Sequence, residues 1–168
     1  MTRLKVAAVA VSLWWACATP AWAVDVGAVP PDVELTGATG LPAKLSGLKG
    51  KVVYVDFWAS WCGPCKQSFP WMNEMHKKHS AQGLQIVAVN VDARREDANA
   101  FLKDAPAQFA VAFDPKGEAA KRFAIKGMPT AVLIGKDGNV LSVHQGFRDQ
   151  DRATLEAQLV AALAAKGP

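Results

Sequence analysis

The apolar stretch Val52-Val53-Tyr54-Val55-Asp56-Phe57 runs into Trp58-Ala59-Ser60-Trp61-Cys62-Gly63-Pro64-Cys65-Lys66, so a buried strand must hand over to a helix where two thiols stand three residues apart. A strand-to-helix turn places Cys62 at a helix N-terminus, where unpaired backbone N–H groups and the macrodipole favour the thiolate, the nucleophilic form of the side chain. Cys65 lies one turn along the same helix, near enough to close a ring with Cys62 and better shielded from water. The pattern points to reversible disulfide exchange, with Cys62 attacking and Cys65 resolving. Zinc would need four ligands, and outside this motif only His76, His79 and His144 are on offer after residue 23. A c-type haem attachment needs His after the second Cys, where this chain has Lys66. A structural disulfide is the remaining alternative, but so short a ring constrains the unfolded chain little.

The start of the chain sets the expected compartment. Met1-Thr2-Arg3-Leu4-Lys5 is basic, Val6 to Ala16 is almost uninterrupted apolar sequence, and Ala21-Trp22-Ala23 is a small-X-small cleavage site. This is the pattern of a secretory signal peptide over residues 1–23, with the periplasm of a Gram-negative bacterium as destination. The apolar run is shorter than the roughly 20 residues of a membrane span, so an uncleaved N-terminal anchor is the alternative, and lipid attachment at Cys17 a weaker one. Removing residues 1–23 leaves 145 residues, enough for one domain with a sizeable core. The formal charge of +4 falls to +2 with the loss of Arg3 and Lys5, too small to imply a nucleic-acid partner. A monomer is expected.

Along the mature chain, residues 24–32 read as an extended linker, with Gly27 and Pro30-Pro31 opposing regular structure. The domain is expected over 33–168. Val33-Glu34-Leu35 and Ala43-Lys44-Leu45 suit a small hairpin. Strands are expected over 51–57, 84–91, 109–113, 130–134 and 140–144, and helices over 63–80, kinked by Pro70, 94–104 and 117–123. Lys136-Asp137-Gly138-Asn139 is a hairpin turn signal, and Leu155, Leu159 and Leu163 mark a closing helix. Strands alternating with helices and ending in a hairpin imply an α/β sandwich around a mixed sheet.

Trp61-Cys62-Gly63-Pro64-Cys65 resembles the active site of the thioredoxin superfamily. The N-terminal hairpin, and the extra helix and strand between Asp92 and Phe113, resemble its exported TlpA/ResA-like branch. The resemblance implies a thioredoxin-like fold with helices on both faces of the sheet, no cofactor, and protein disulfides as substrates, such as those met in cytochrome c or copper-site maturation. It also implies a membrane thiol reductase as electron donor. Gly127-Met128-Pro129-Thr130 matches the superfamily's cis-proline loop. There the resemblance implies that Pro129 packs beside the dithiol and that the Met128 backbone pairs with an extended substrate segment. Read from the residues alone, an ordinary trans peptide before an edge strand is the expectation. Trp61 is expected to form an apolar platform beside the reactive sulfur, with Phe57 and Trp58 packed inside.

Asp56 departs from the branch it otherwise resembles. A carboxyl group within such an apolar strand is desolvated, which favours its protonated form, unless strand alternation turns it to solvent. Thioredoxin has an acid at the matching position, six residues before the first cysteine, where it assists deprotonation of the resolving thiol. TlpA/ResA-like chains usually carry Asn there and a Glu three positions after the second cysteine, where this chain has Ser68. The resemblance thus assigns the proton-handling role to Asp56. Met72, Met75, His76 and His79 recur at helical spacing, either as a soft copper-binding face or as core methionines with surface histidines.

Overall fold

The computed structural model describes residues 24–167. The expected signal segment 1–23, with Cys17, lies outside the described residues.

The core is organised by its most apolar strand. Every residue of β1 (Val52–Trp58) is buried, as expected for a strand covered on both faces. β1 pairs in parallel with β2 (Leu84–Asn90) and antiparallel with β4 (Thr130–Ile134). β3 (Ala110–Phe113) adds in parallel to β2, and β5 (Val140–Gln145) adds antiparallel to β4, giving the order β3-β2-β1-β4-β5. Each parallel pair is joined by a helical crossover: α1 (Gly63–His79) links β1 to β2, and α2 (Arg95–Asp104) links β2 to β3. α3 (Glu118–Arg122) precedes β4, and α4 (Arg152–Ala164) closes the chain.

Alternation along β1 divides the interior into two layers. Val52, Tyr54 and Trp58 pack with Cys62, Cys65, Phe69, Met72, Leu155 and Leu159 against α1 and α4. Val53, Val55 and Phe57 pack with Val33, Leu35, Leu45, Leu48 and Phe123 on the opposite face. The mixed sheet with helices on both faces matches the expected architecture, and the strands and helices fall within a residue or two of their expected bounds.

Three local expectations are refined. The N-terminal hairpin is reduced to one antiparallel bridge, Glu34 with Lys44, held by Leu35 N–H to Ala43 O (2.8 Å) and Leu45 N–H to Val33 O (3.0 Å). Its apolar residues serve as a cover for the sheet, and a 3-10 turn at Leu45–Leu48 takes over where a second strand would have extended. The linker docks: Gly27 N–H donates to Val140 O and Val140 N–H to Ala28 O, at the end of the sheet opposite the dithiol. α1 is one continuous helix across Pro70, which is exposed, so the carbonyl of Lys66 that loses its N–H partner there lies on a face open to water.

Candidate active site

β1 delivers its C-terminal end to a short loop, Ala59–Trp61, and Cys62 caps α1 with extended backbone angles, φ −84° and ψ 103°. The cysteines form a disulfide across α1's first turn, with Cα atoms 5.3 Å apart. Cys62 Sγ also accepts the Cys65 backbone N–H at 3.2 Å, one of the donors that a helix leaves unpaired at its N-terminus. No acid stands in the first turn of α1. Pro64 sits there without cost, since its missing N–H has no partner to lose, and Gly63 opens onto free space. Local backbone dipoles therefore favour negative charge on Cys62 once the disulfide is reduced.

The two sulfurs differ in access. Cys65 is 0% exposed and Cys62 4%, while the neighbouring Trp61 stands 72% exposed. Ser68, the residue in place of the branch's usual glutamate, is buried and donates its hydroxyl to Cys65 O at 3.1 Å. It tethers the helix backbone and offers no acid.

Antiparallel pairing carries the second loop to the same pole. Phe57 is opposite Thr130, so Pro129 lies just beyond the ladder where β1 gives way to the cysteines. The Met128–Pro129 peptide is cis, as the resemblance implied and against the trans form that the residues alone favoured. Thr130 Oγ1 donates to Gly127 O at 2.7 Å and Gly146 N–H to Pro129 O at 2.8 Å, tying the loop on both sides of the proline. Met128 is half-buried against the cluster containing both cysteines.

Asp56 does not turn to solvent. It is 1% exposed and, by alternation with Tyr54 and Trp58, belongs to the layer that holds Cys65. Its cross-strand partners are Ala88 and Ala131, neither with a side chain able to neutralise or hydrogen-bond it, and among the described residues its Oδ2 has no hydrogen-bond partner. Desolvation accordingly holds its carboxyl well above the usual range. The phenol of Tyr54 is likewise pushed up, by burial and then by the Asp56 charge.

The helical Met/His stripe does not assemble a ligand set. Met72 and Met75 are fully buried in the core, whereas His79 pairs outward with Gln82 Oε1 and, at 3.9 Å, with Glu156. Among the described residues no group of three or more His, Cys, Asp or Glu side chains is placed to hold a metal.

Sequence reasoning missed one part of this pole. Asp92, buried just beyond β2 and bonded by the buried Asn90, meets Ser60 in the loop before Cys62. The available signal was the polar Asn90 and Asp92 flanking Val91 at the end of an otherwise apolar strand.

Comparison with known proteins agrees with this geometry. The Redoxin family model matches residues 25–159. The thiol-disulfide oxidoreductase ResA of Bacillus thuringiensis subsp. konkukian is 34% identical over 136 residues, covering 81% of this chain and 78% of that protein. ResA of Bacillus subtilis is 35% identical over 123 residues, covering 73% and 69%. A crystal structure of a putative thiol:disulfide interchange protein DsbE from Chlorobium tepidum superposes with a TM-score of 0.80 at 53% identity, covering 84% of this chain and all of that one. With its five-stranded mixed sheet, its dithiol capping α1 and these relatives, the chain belongs to the Redoxin family and adopts a thioredoxin-like fold within its ResA-like branch.

Proposed function

We propose that this protein is an exported thiol:disulfide oxidoreductase that reduces disulfides in periplasmic protein substrates. The observation that carries the reading is the Cys62–Cys65 disulfide at the start of α1, flanked by exposed Trp61 and by the cis Met128–Pro129 loop. The relatives' shared name, thiol-disulfide oxidoreductase, supports the same chemistry.

In the reduced protein, Cys62 thiolate attacks one sulfur of a substrate disulfide, forming a Cys62–substrate disulfide and expelling the other substrate sulfur as thiolate. Cys65 thiolate then attacks Cys62 Sγ, closing the Cys62–Cys65 disulfide and releasing the second substrate thiolate. Two electrons pass from the dithiol to the substrate, and a membrane thiol reductase returns them. Asp56, ionised or through a water it holds, accepts the Cys65 proton. Trp61 and the Met128 backbone receive the polypeptide around the target cysteine. Apocytochrome c thiols or copper-site cysteines fit as substrates by resemblance. Export rests on the basic, apolar and small-residue pattern of residues 1–23. Among the described residues no helix is long and apolar enough to cross a membrane.

Substrate trapping tests this directly. With Cys65→Ser the mixed disulfide cannot be resolved, so covalent partners linked through Cys62 are expected to accumulate in the compartment and to dissolve on adding reductant. Absence of any Cys62-linked protein would remove the reductase reading.

Direction is tested separately. The Gly63-Pro64 pair predicts a potential nearer the roughly −270 mV of thioredoxin than the roughly −120 mV of DsbA, and acceleration of insulin reduction by a small thiol. Equilibration with glutathione measures it, and a value above about −180 mV would reassign the protein as a disulfide oxidant or isomerase.

A further inference from the structure

We propose that Asp92 is a positioning residue for the attacking thiol, acting through Ser60; this rests on the assignment of Cys62 as nucleophile. The register of β1 against β2 ends at Trp58 opposite Asn90, followed by one further bond, Val91 N–H to Trp58 O at 3.0 Å. Beyond it the chain must leave the sheet to reach α1, and the Ser60 amide no longer has a strand to donate to. Asp92 supplies the acceptor. Its Oδ2 takes the Ser60 N–H at 2.9 Å and an Asn90 Nδ2 hydrogen at 2.8 Å, and its Oδ1 takes the Ser60 hydroxyl at 3.0 Å. The Asp92 N–H donates back to Asn90 Oδ1 at 3.1 Å, closing the ring. Asn90 is 1% exposed and Asp92 6%, so water does not offer an equivalent set of partners, and an amide left unmet there is costly.

This ring bears on the reaction through the short stretch of chain between Ser60 and the nucleophile. Cys62 N–H donates to Ala59 O at 3.1 Å, so residues 59–62 form a turn closed on one side by that bond and anchored on the other by Asp92. The turn gives Cys62 its extended capping conformation, and that conformation sets its sulfur 3.2 Å from the Cys65 N–H. Loosening Ser60 frees the turn, withdraws the sulfur from the amide, and weakens the dipolar stabilisation of the thiolate. Asp92 touches neither sulfur in this arrangement and works by holding the backbone two residues ahead of one.

Among the described residues, the charged and titratable groups on the elements that meet at this pole include Cys65 and Lys66 on α1, Asp56 on β1, Asp92 and Arg94 beyond β2, Lys126 ahead of Pro129 and His144 on β5; Arg94 is itself paired with Asp97, and His144 lies 3.5 Å from Asp151. Two modes of action for Asp92 therefore predict opposite signs. If Asp92 acts by position, replacing it raises the pH at which Cys62 becomes reactive. If it acts through negative charge, replacing it lowers that pH.

The experiment measures the pH dependence of iodoacetamide alkylation of the fully reduced protein, with the labelled cysteine located by mass spectrometry, in wild type, Asp92→Asn and Ser60→Ala. Asp92→Asn keeps the size of the side chain but has one oxygen in place of two and no charge, so it cannot accept from the Ser60 N–H, the Ser60 hydroxyl and Asn90 Nδ2 as the carboxylate does. Its alkylation midpoint is expected to move up, so that at a fixed pH below the midpoint the Cys62 rate falls about fivefold to tenfold, the scale of a lost helix-terminus interaction. Ser60→Ala loses one of three bonds to Asp92 and is expected to move the midpoint in the same direction by less. An unmoved or lowered midpoint in folded Asp92→Asn overturns the proposal, whatever happens to thermal stability. Should that variant fail to fold, Ser60→Ala decides alone, and an unmoved midpoint there has the same force. Preferential labelling of Cys65 in the wild type would overturn the assignment of Cys62, and the positioning role with it. Normal Cys62 labelling with no shift in the variants overturns the positioning role only.

Discussion

Asp56→Asn is expected to slow the second half of the catalytic cycle by about a hundredfold near neutral pH, the low end of what a positioned proton acceptor contributes, while leaving attack by Cys62 nearly unchanged. The asymmetry follows from location. Asp56 lies in the buried layer with Cys65, whereas Cys62 is served by the first turn of α1. Rapid mixing of the reduced variant with a substrate disulfide separates the steps, and a mixed disulfide should accumulate that the wild type does not show. Equal slowing of both steps, or unchanged resolution, would place the proton route elsewhere.

The same substitution should stabilise the protein in a pH-dependent way. The unfolded chain releases the Asp56 proton near the ordinary carboxyl value of 3.8, while the folded protein, through desolvation, retains it to much higher pH. Between those two values the unfolded state binds fewer protons, so this residue lowers wild-type stability as pH rises, by up to about 1.4 kcal/mol for each pH unit in the window. Above the folded value the loss is complete and the contribution is flat; below the unfolded value it is absent. An amide neither ionises nor carries this penalty. Urea denaturation of oxidised wild type and Asp56→Asn from about pH 4 upward should show a stability gap that widens with pH, and a gap independent of pH would contradict burial of an ionisable group at this position.

Phe69→Ala is expected to destabilise the fold by about 3–5 kcal/mol, a large share of the roughly 5–15 kcal/mol typical of a domain. Phe69 is fully buried on α1, one turn beyond Cys65, and its ring centroid lies 4.9 Å from Trp58, 5.0 Å from Phe101 and 5.4 Å from Phe109. It thus joins the helix bearing the dithiol to the end of β1, to α2 and to the segment entering β3. Rings held from several elements cannot collapse together into the space left by one of them, which places the cost toward the upper part of the range for such truncations. Chemical denaturation measures it. A loss below about 1.5 kcal/mol would mean that the aromatic cluster repacks freely.

The placement of the cysteine pair and much of the fold were legible in the sequence because their signals are local. An apolar run ending in Trp-Cys-Gly-Pro-Cys specifies strand, turn and helix start within one short segment, and the separation of Cys62 from Cys65 is itself a statement about one helical turn. The turn at Lys136–Asn139 and the leucines of α4 were readable for the same reason, as dihedral preference and periodicity act between near neighbours. Asp56 was half legible: its apolar neighbours signalled burial, but only pairing with Ala88 and Ala131 reveals that it has no polar partner across the sheet.

The remainder depended on which distant segments meet. A methionine stripe at helical spacing is the same string whether it faces copper or core; packing of α1 on the sheet turned Met72 and Met75 inward. The N-terminal segments alternate well enough for a hairpin, but covering the sheet with Val33, Leu35, Leu45 and Leu48 left one bridge. The cis peptide before Pro129 sits in a loop tied to Gly146, and Asp92 finds Ser60 across 32 residues. Local preference limits the conformations each segment can take. The need to bury apolar surface while leaving no interior donor or acceptor unmet chooses among them, and that need is satisfied only by the assembled chain.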